Sequence, residues 1–151
     1  MVSRTVIIVE VICSLIMLLF VYAALSKFMD FEQFKVQLGQ SPILFPFVTI
    51  IAWVVPVMEL LISVLLVITK YRLLALYASL SLLVMFTTYI LMITHFSDFI
   101  PCSCGGVLQN MSWNQHLVFN LVYISLAISG IVLEKKRLLA GAVRPTSPIT
   151  T

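Results

Sequence analysis

Residues 45–69 read FPFVTIIAWVVPVMELLISVLLVIT, an apolar run interrupted by one charge, Glu59. A helix needs about 20 mostly apolar residues to cross the hydrocarbon core of a bilayer. This run exceeds that length, so it reads as a span that is tilted or partly interfacial. Three more stretches meet the same criterion: Thr5 to Leu25, Leu73 to Thr94 and Trp113 to Leu133. Composition agrees. The 151 residues are 62% hydrophobic and 10% charged, with mean hydropathy +1.14, whereas a soluble domain is about half apolar and one quarter charged. The expected fold is an all-α integral membrane protein, a four-transmembrane-helix bundle over residues 1–139. Residues 140–151, with Pro145, Ser147 and Pro148, are expected to form a disordered tail. The first run contains Val21-Tyr22-Ala23, which resembles a small-residue cleavage site. Its apolar stretch is longer than the roughly 7–15 residues of a signal peptide, so it is read as a retained span.

Orientation follows from Lys and Arg. Arg4 precedes the first run, Lys70 and Arg72 fill the turn between the second and third, and Lys135, Lys136, Arg137 and Arg144 follow the fourth. These segments are assigned to the cytoplasmic side, with both termini inside. Loops 26–44 and 95–112 then lie outside, where Lys27 and Lys35 are balanced locally by Asp30 and Glu32. For a bacterial protein this means a multi-pass inner-membrane location. In the first outer loop Phe28, Phe31, Phe34 and Leu38 recur at helical spacing, and Gly39 and Pro42 follow. That pattern predicts a short amphipathic helix at the interface, floating among headgroups or docking a partner.

The net charge of +3 sits near the ends of the spans and points to topology, not to nucleic acid. No phosphate loop, H-E-x-x-H or G-x-S-x-G motif is present. The interval richest in polar and turn-forming residues in the second half is Pro101-Cys102-Ser103-Cys104-Gly105-Gly106. Residues two apart can bring their α-carbons to about 5.5–7 Å, the upper part of the disulfide range. A bridge closing so small a ring adds little stability, and strained, exposed disulfides are the more oxidising ones. Cys102 and Cys104 are therefore candidate redox thiols. A metal site with His95 and His116, or thiols without redox use, remain alternatives; the histidine spacing matches no recognised zinc pattern. Ser112 and Gln115 form a capping-box pattern at the start of the fourth span, which aims the positive end of a helix dipole toward this loop. The sequon Asn110-Met111-Ser112 reads as a chance match in a short loop.

Glu59 is the third candidate. A carboxylate near the bilayer midplane costs several kcal/mol unless paired or protonated. With no Lys or Arg assigned to that depth, Glu59 is expected to be neutral. It would donate a hydrogen bond across the bundle, to Asn120 or to the carbonyl of a bound quinone. Glu10 is expected to snorkel or pair with Lys70 or Arg72, and Cys13 to be a small packing residue far from the outer loop.

The ordered set Ala24-Leu25-Ser26-Lys27-Phe28, Asp30-Phe31, Pro56-x-x-Glu59-Leu60, Cys102-Ser103-Cys104-Gly105-Gly106 and Trp113 resembles the small four-helix membrane proteins of the MauE/DoxX group, over about residues 5 to 135. The resemblance implies a role in periplasmic thiol–disulfide chemistry, with Cys102 and Cys104 as the redox pair. It implies a thioredoxin-like or disulfide-rich periplasmic protein as partner, as for MauE, or a quinone as electron carrier, as for DoxX-type proteins. Whether the chain is itself an enzyme is left open by the resemblance. There is no second cysteine pair, so a relay within one chain is not expected. A non-catalytic accessory or assembly subunit, and a metal-binding or transport protein, stand as the competing classes.

Overall fold

The computed structural model describes residues 2–39, 45–96 and 113–142. Five α-helices follow in order: α1 Val2–Met29, α2 Phe31–Gly39, α3 Val48–Val67, α4 Arg72–Phe96 and α5 Trp113–Ala142, with a 3-10 turn at Phe45–Phe47 before α3. Among the described residues there is no strand. Four of these helices are long and apolar enough to cross a membrane, as the four apolar runs predict, and α2 is the short helix expected after the first span. The fold is an all-α membrane bundle.

The helices pack as a bundle because each long helix keeps one stripe for its neighbours and leaves the rest apolar for lipid. In α1 the buried positions are Val9, Ile12, Cys13, Ile16, Phe20 and Ala24, spaced by one, three or four residues, while Ile7, Ile8, Val11, Leu15 and Leu18 on other faces are exposed. A helix that is apolar all round suits a membrane span. The core joins the α1 stripe to Ile62 and Leu66 of α3, Ala75, Leu76 and Leu83 of α4, and Ala127 and Ile131 of α5. The closest packing is of α1 on α3 and of α4 on α5, with α5 also on α1 and α4 on α3.

Helices approach one another closely at Gly130 of α5. A Cβ built there would sit 3.2 Å from both Ile12 Cγ2 and Leu76 Cδ2, so the missing side chain lets three helices meet, as small residues do in membrane bundles. Three buried hydroxyls are satisfied within their own helices. Ser63 donates to the Glu59 carbonyl, Ser79 to Ala75 and Thr87 to Leu83, each at 2.8 Å. Such back-bonding leaves no free donor facing hydrocarbon.

Gly130, Ile12 and Leu76 lie toward the end of the bundle that carries Arg4, Lys70, Arg72 and Lys135 to Arg137, here termed the basic end. The opposite end carries the close of α1, α2, and the start of α5. There α1 passes into α2 over the single residue Asp30, whose amide donates to Ser26 O at 3.2 Å and whose carbonyl accepts from Phe34 N at 2.9 Å. The amphipathic reading of this stretch holds: Phe34 and Leu38 are buried against Ala52 of α3, and Trp53 packs its ring 5.0 Å from Phe31 and 6.0 Å from Phe28.

Two boundaries differ from the sequence reading by four residues or more. The first helix continues past Leu25 to Met29, and the last continues past Leu133 to Ala142. Both extensions are polar: Ser26 and Lys27 in one, Glu134 to Arg137 in the other. Hydropathy alone stops at the first polar residue, whereas the helix continues because no Pro interrupts either stretch and the one glycine in them, Gly141, falls in the last turn of α5. Of the tail expected over 140–151, residues 140–142 are instead the end of α5, and the rest lies outside the described residues.

Candidate functional site

The polar centre of the bundle is built around Lys27. Continuing the α1 stripe from Phe20 and Ala24 by one turn brings position 27 onto the buried face, and Lys27 is only 6% exposed. Its ammonium donates to Glu59 Oε1 at 2.8 Å and Oε2 at 3.1 Å, and to the Ala23 carbonyl at 3.2 Å. These three contacts use the three donors of the ammonium. Glu59, 1% exposed, lies on the same face of α3 as Ser63. Charge-assisted bonds of this kind are about twice as strong as neutral ones.

Every helix contributes to the surroundings of this ammonium. Phe86 of α4 and Phe34 of α2 hold their ring centroids 5.6 and 5.9 Å from Lys27 Nζ, within the range of cation–π attraction. The Lys27 charge reaches His116 in the first turns of α5. His116 is buried, and Asn120, one turn further, is 5% exposed. Asn120 Nδ2 and the neighbouring Ser26 Oγ have no hydrogen-bond partner among the described residues. The site is thus a buried ion pair with aromatic walls.

This corrects the expectation for Glu59. The residue is an acceptor from Lys27, not a neutral donor to Asn120. Lys27 was assigned to the loop and to local balance by Asp30 and Glu32. Both of those carboxylates are exposed, and Glu32 pairs instead with Lys35 at 3.6 Å. The longer α1 carries Lys27 below the surface, which a span ending at Leu25 did not anticipate. Cys102 and Cys104, with the Ser112 cap and Asn110, lie outside the described residues, as does the side chain of His95. What the structure gives for them is attachment: the segment 97–112 joins the end of α4 to the start of α5, and His116 is the fourth residue of that helix.

A second buried polar group lies at the basic end, and the sequence reading missed most of it. Glu134, 1% exposed, has Arg137 Nη2 3.2 Å from Oε1, but the pair is not aligned as a hydrogen bond, and both carboxylate oxygens lack one. Arg72, 7% exposed, has neither Nε nor Nη1 bonded. Cys13 is a free, buried thiol on which the charges of Arg72, Glu134, Arg137 and Glu10 act. In the sequence Arg72 reads as part of the basic turn between the second and third spans, and nothing singles out Glu134. Glu10, expected to snorkel or to pair with Lys70 or Arg72, is exposed and makes no ion pair among the described residues. Among the described residues no group of three His, Cys, Asp or Glu is placed to hold a metal ion.

Comparison with known proteins places this architecture. No curated protein matches the chain, and no solved structure does. The family model described as methylamine utilisation protein MauE matches residues 5–133, from the first turns of α1 to the buried part of α5. With the greater part of all four spans and the whole Lys27–Glu59 centre inside the matched range, the chain belongs to the MauE family of membrane proteins.

Proposed function

We propose that this protein is a redox-associated membrane component that exchanges electrons between thiols outside the cytoplasm and a second carrier, through Cys102 and Cys104. The observation that carries the reading is the C-x-C pair in the segment between α4 and α5 of a MauE-family bundle. In the exchange, a disulfide between Cys102 and Cys104 accepts two electrons and two protons from a dithiol, which becomes a disulfide. A thioredoxin-like protein or a quinone then takes the electrons and restores the pair. The reading puts both termini in the cytoplasm of a bacterial cell and the C-x-C segment in the periplasm, where disulfides persist. Glu59 acts here through Lys27, fixing the end of α1 against α3.

Alkylation of the thiols in membranes tests this. Cys102 and Cys104 should pass between blocked and free forms as the quinone pool or a thioredoxin-like reductant is changed, and Cys102→Ser or Cys104→Ser should abolish the shift while leaving the protein inserted. Thiols that stay free under every condition would overturn the reading. One observation favours a second reading. The Lys27 ammonium is fully partnered, as in a structural pair, which suits a non-catalytic assembly subunit. Such a subunit would keep its function in both serine variants.

A further inference from the structure

Lys135 and Tyr77 join α5 to α4 on the outer surface of the basic end. The Lys135 ammonium lies 5.6 Å from the centre of the Tyr77 ring, within the range of cation–π attraction. Both residues are exposed. A tyrosine, with its apolar body and polar tip, suits the depth where hydrocarbon meets headgroups, so the contact holds the ammonium at that depth. The ring covers one side of the ammonium, which carries three donors. Glu134, the acid next to it in sequence, does not compete for it, being buried and 3.2 Å from Arg137. Inward from this contact both helices present apolar side chains. Ile128 lies two turns from Lys135 on the same face of α5, and Val84 lies two turns from Tyr77 on the same face of α4; both are exposed. The two helices are antiparallel and packed together, so these residues continue the Lys135–Tyr77 contact into the hydrocarbon along one edge.

A cation at headgroup depth above an apolar edge fits a molecule with an anionic head and a hydrocarbon tail. Lysines near the membrane surface attract anionic lipids, and a phosphate oxygen accepts a charge-assisted hydrogen bond from an ammonium. A zwitterionic lipid carries its own ammonium beside the phosphate, which Lys135 would repel. A second copy of this chain would bring Lys135 and Lys136 against like charges, and free phosphate would leave the apolar edge uncovered. We propose that the Lys135–Tyr77 edge of α4 and α5 is a binding site for an anionic phospholipid, with its phosphate on the Lys135 ammonium and an acyl chain along Ile128 and Val84. The site is independent of which side of the membrane the basic end faces.

Native mass spectrometry of the full-length protein, released from micelles holding equal amounts of phosphatidylglycerol and phosphatidylethanolamine with matched acyl chains, tests this. The wild type should retain phosphatidylglycerol in preference. Lys135→Gln should lower that preference about fivefold, the weight of one lysine beside anionic headgroups. Lys136→Gln alters an equally exposed cation about 100° further round the helix, and should leave the preference nearly unchanged. Both side chains are exposed, so neither substitution disturbs the core. Inorganic phosphate added to the micelles should not displace the lipid. Equal retention of the two lipids by the wild type would overturn the site. Equal losses in Lys135→Gln and Lys136→Gln would also overturn it, and would indicate attraction by the charge of the whole basic end. Displacement by inorganic phosphate would overturn the part given to the apolar edge.

Discussion

Removing either member of the Lys27–Glu59 pair should cost far more than removing both. The side chains are 7% and 1% exposed and meet at 2.8 Å, so solvent does little to screen them. Breaking a buried pair by deleting one partner costs about 3–5 kcal/mol, because the other charge is left without compensation. That corresponds to roughly 100- to 3,000-fold in the folding equilibrium, at about 1.4 kcal/mol per factor of ten. Lys27→Met strands the Glu59 carboxylate, and Glu59→Gln strands the ammonium between Phe34 and Phe86. In Lys27→Met/Glu59→Leu neither charge remains, and apolar replacement of a buried pair is often neutral or stabilising. The double variant should therefore be more stable than either single variant, with a coupling energy of about 3 kcal/mol or more by these same values. Reversible unfolding of the purified protein in mixed micelles, titrated with a denaturing detergent, measures all four corners of the cycle. Single variants that each cost less than about 1 kcal/mol, the range of exposed pairs, would refute the reasoning. So would strictly additive losses, which would mean that the two groups are not coupled.

Other outcomes follow from the same geometry. Gly130→Leu should destabilise the bundle by about 1–3 kcal/mol through overpacking, whereas Gly130→Ala should cost less, because a single methyl needs only a small shift of Ile12 Cγ2 and Leu76 Cδ2; the same unfolding titration reads both. Phe34→Ala should cost about 3 kcal/mol and increase proteolysis within α2, since Phe34 is 6% exposed between α2 and α3. Reporter fusions after Lys70 and after Leu139 should both report cytoplasm; an external signal at either would reverse the orientation proposed for the C-x-C segment.

The spans were legible because lipid selects on length and apolarity, and both are local properties of sequence. The α2 helix was legible for a related reason, since Phe31, Phe34 and Leu38 repeat with helical spacing beside polar residues. The Lys27–Glu59 pair was not, because its members are 32 residues apart and the hydropathy boundary removed Lys27 from the membrane. A usable signal existed: Phe20, Ala24 and Lys27 form one continuous stripe, and a lone carboxylate at mid-span calls for a cation on another helix. Glu134 was hidden among Lys135, Lys136 and Arg137, where net charge obscured that one member pointed inward. The C-x-C segment is prominent in the sequence, but its role depends on redox behaviour that no spacing rule determines.

The position of Glu59 within α3 also bears on how the protein is made. On the scale that describes insertion through the translocation machinery, a charge at the centre of a span is unfavourable by about 2.5–3.5 kcal/mol, while each Leu, Ile or Val contributes about −0.3 to −0.6. Apart from Glu59, α3 is a run dominated by these residues, and together they outweigh the single carboxylate. The segment can therefore enter the bilayer before its partner is available. Lys27 is synthesised earlier, at the end of a helix that is itself strongly apolar. The two charges are then tolerated separately at insertion and become decisive only afterwards, when membrane-embedded helices choose neighbours. Glu59 thus acts as an address for assembly within the bilayer: it selects the one helix that ends in a buried lysine, and it sets the depth at which the two come to rest.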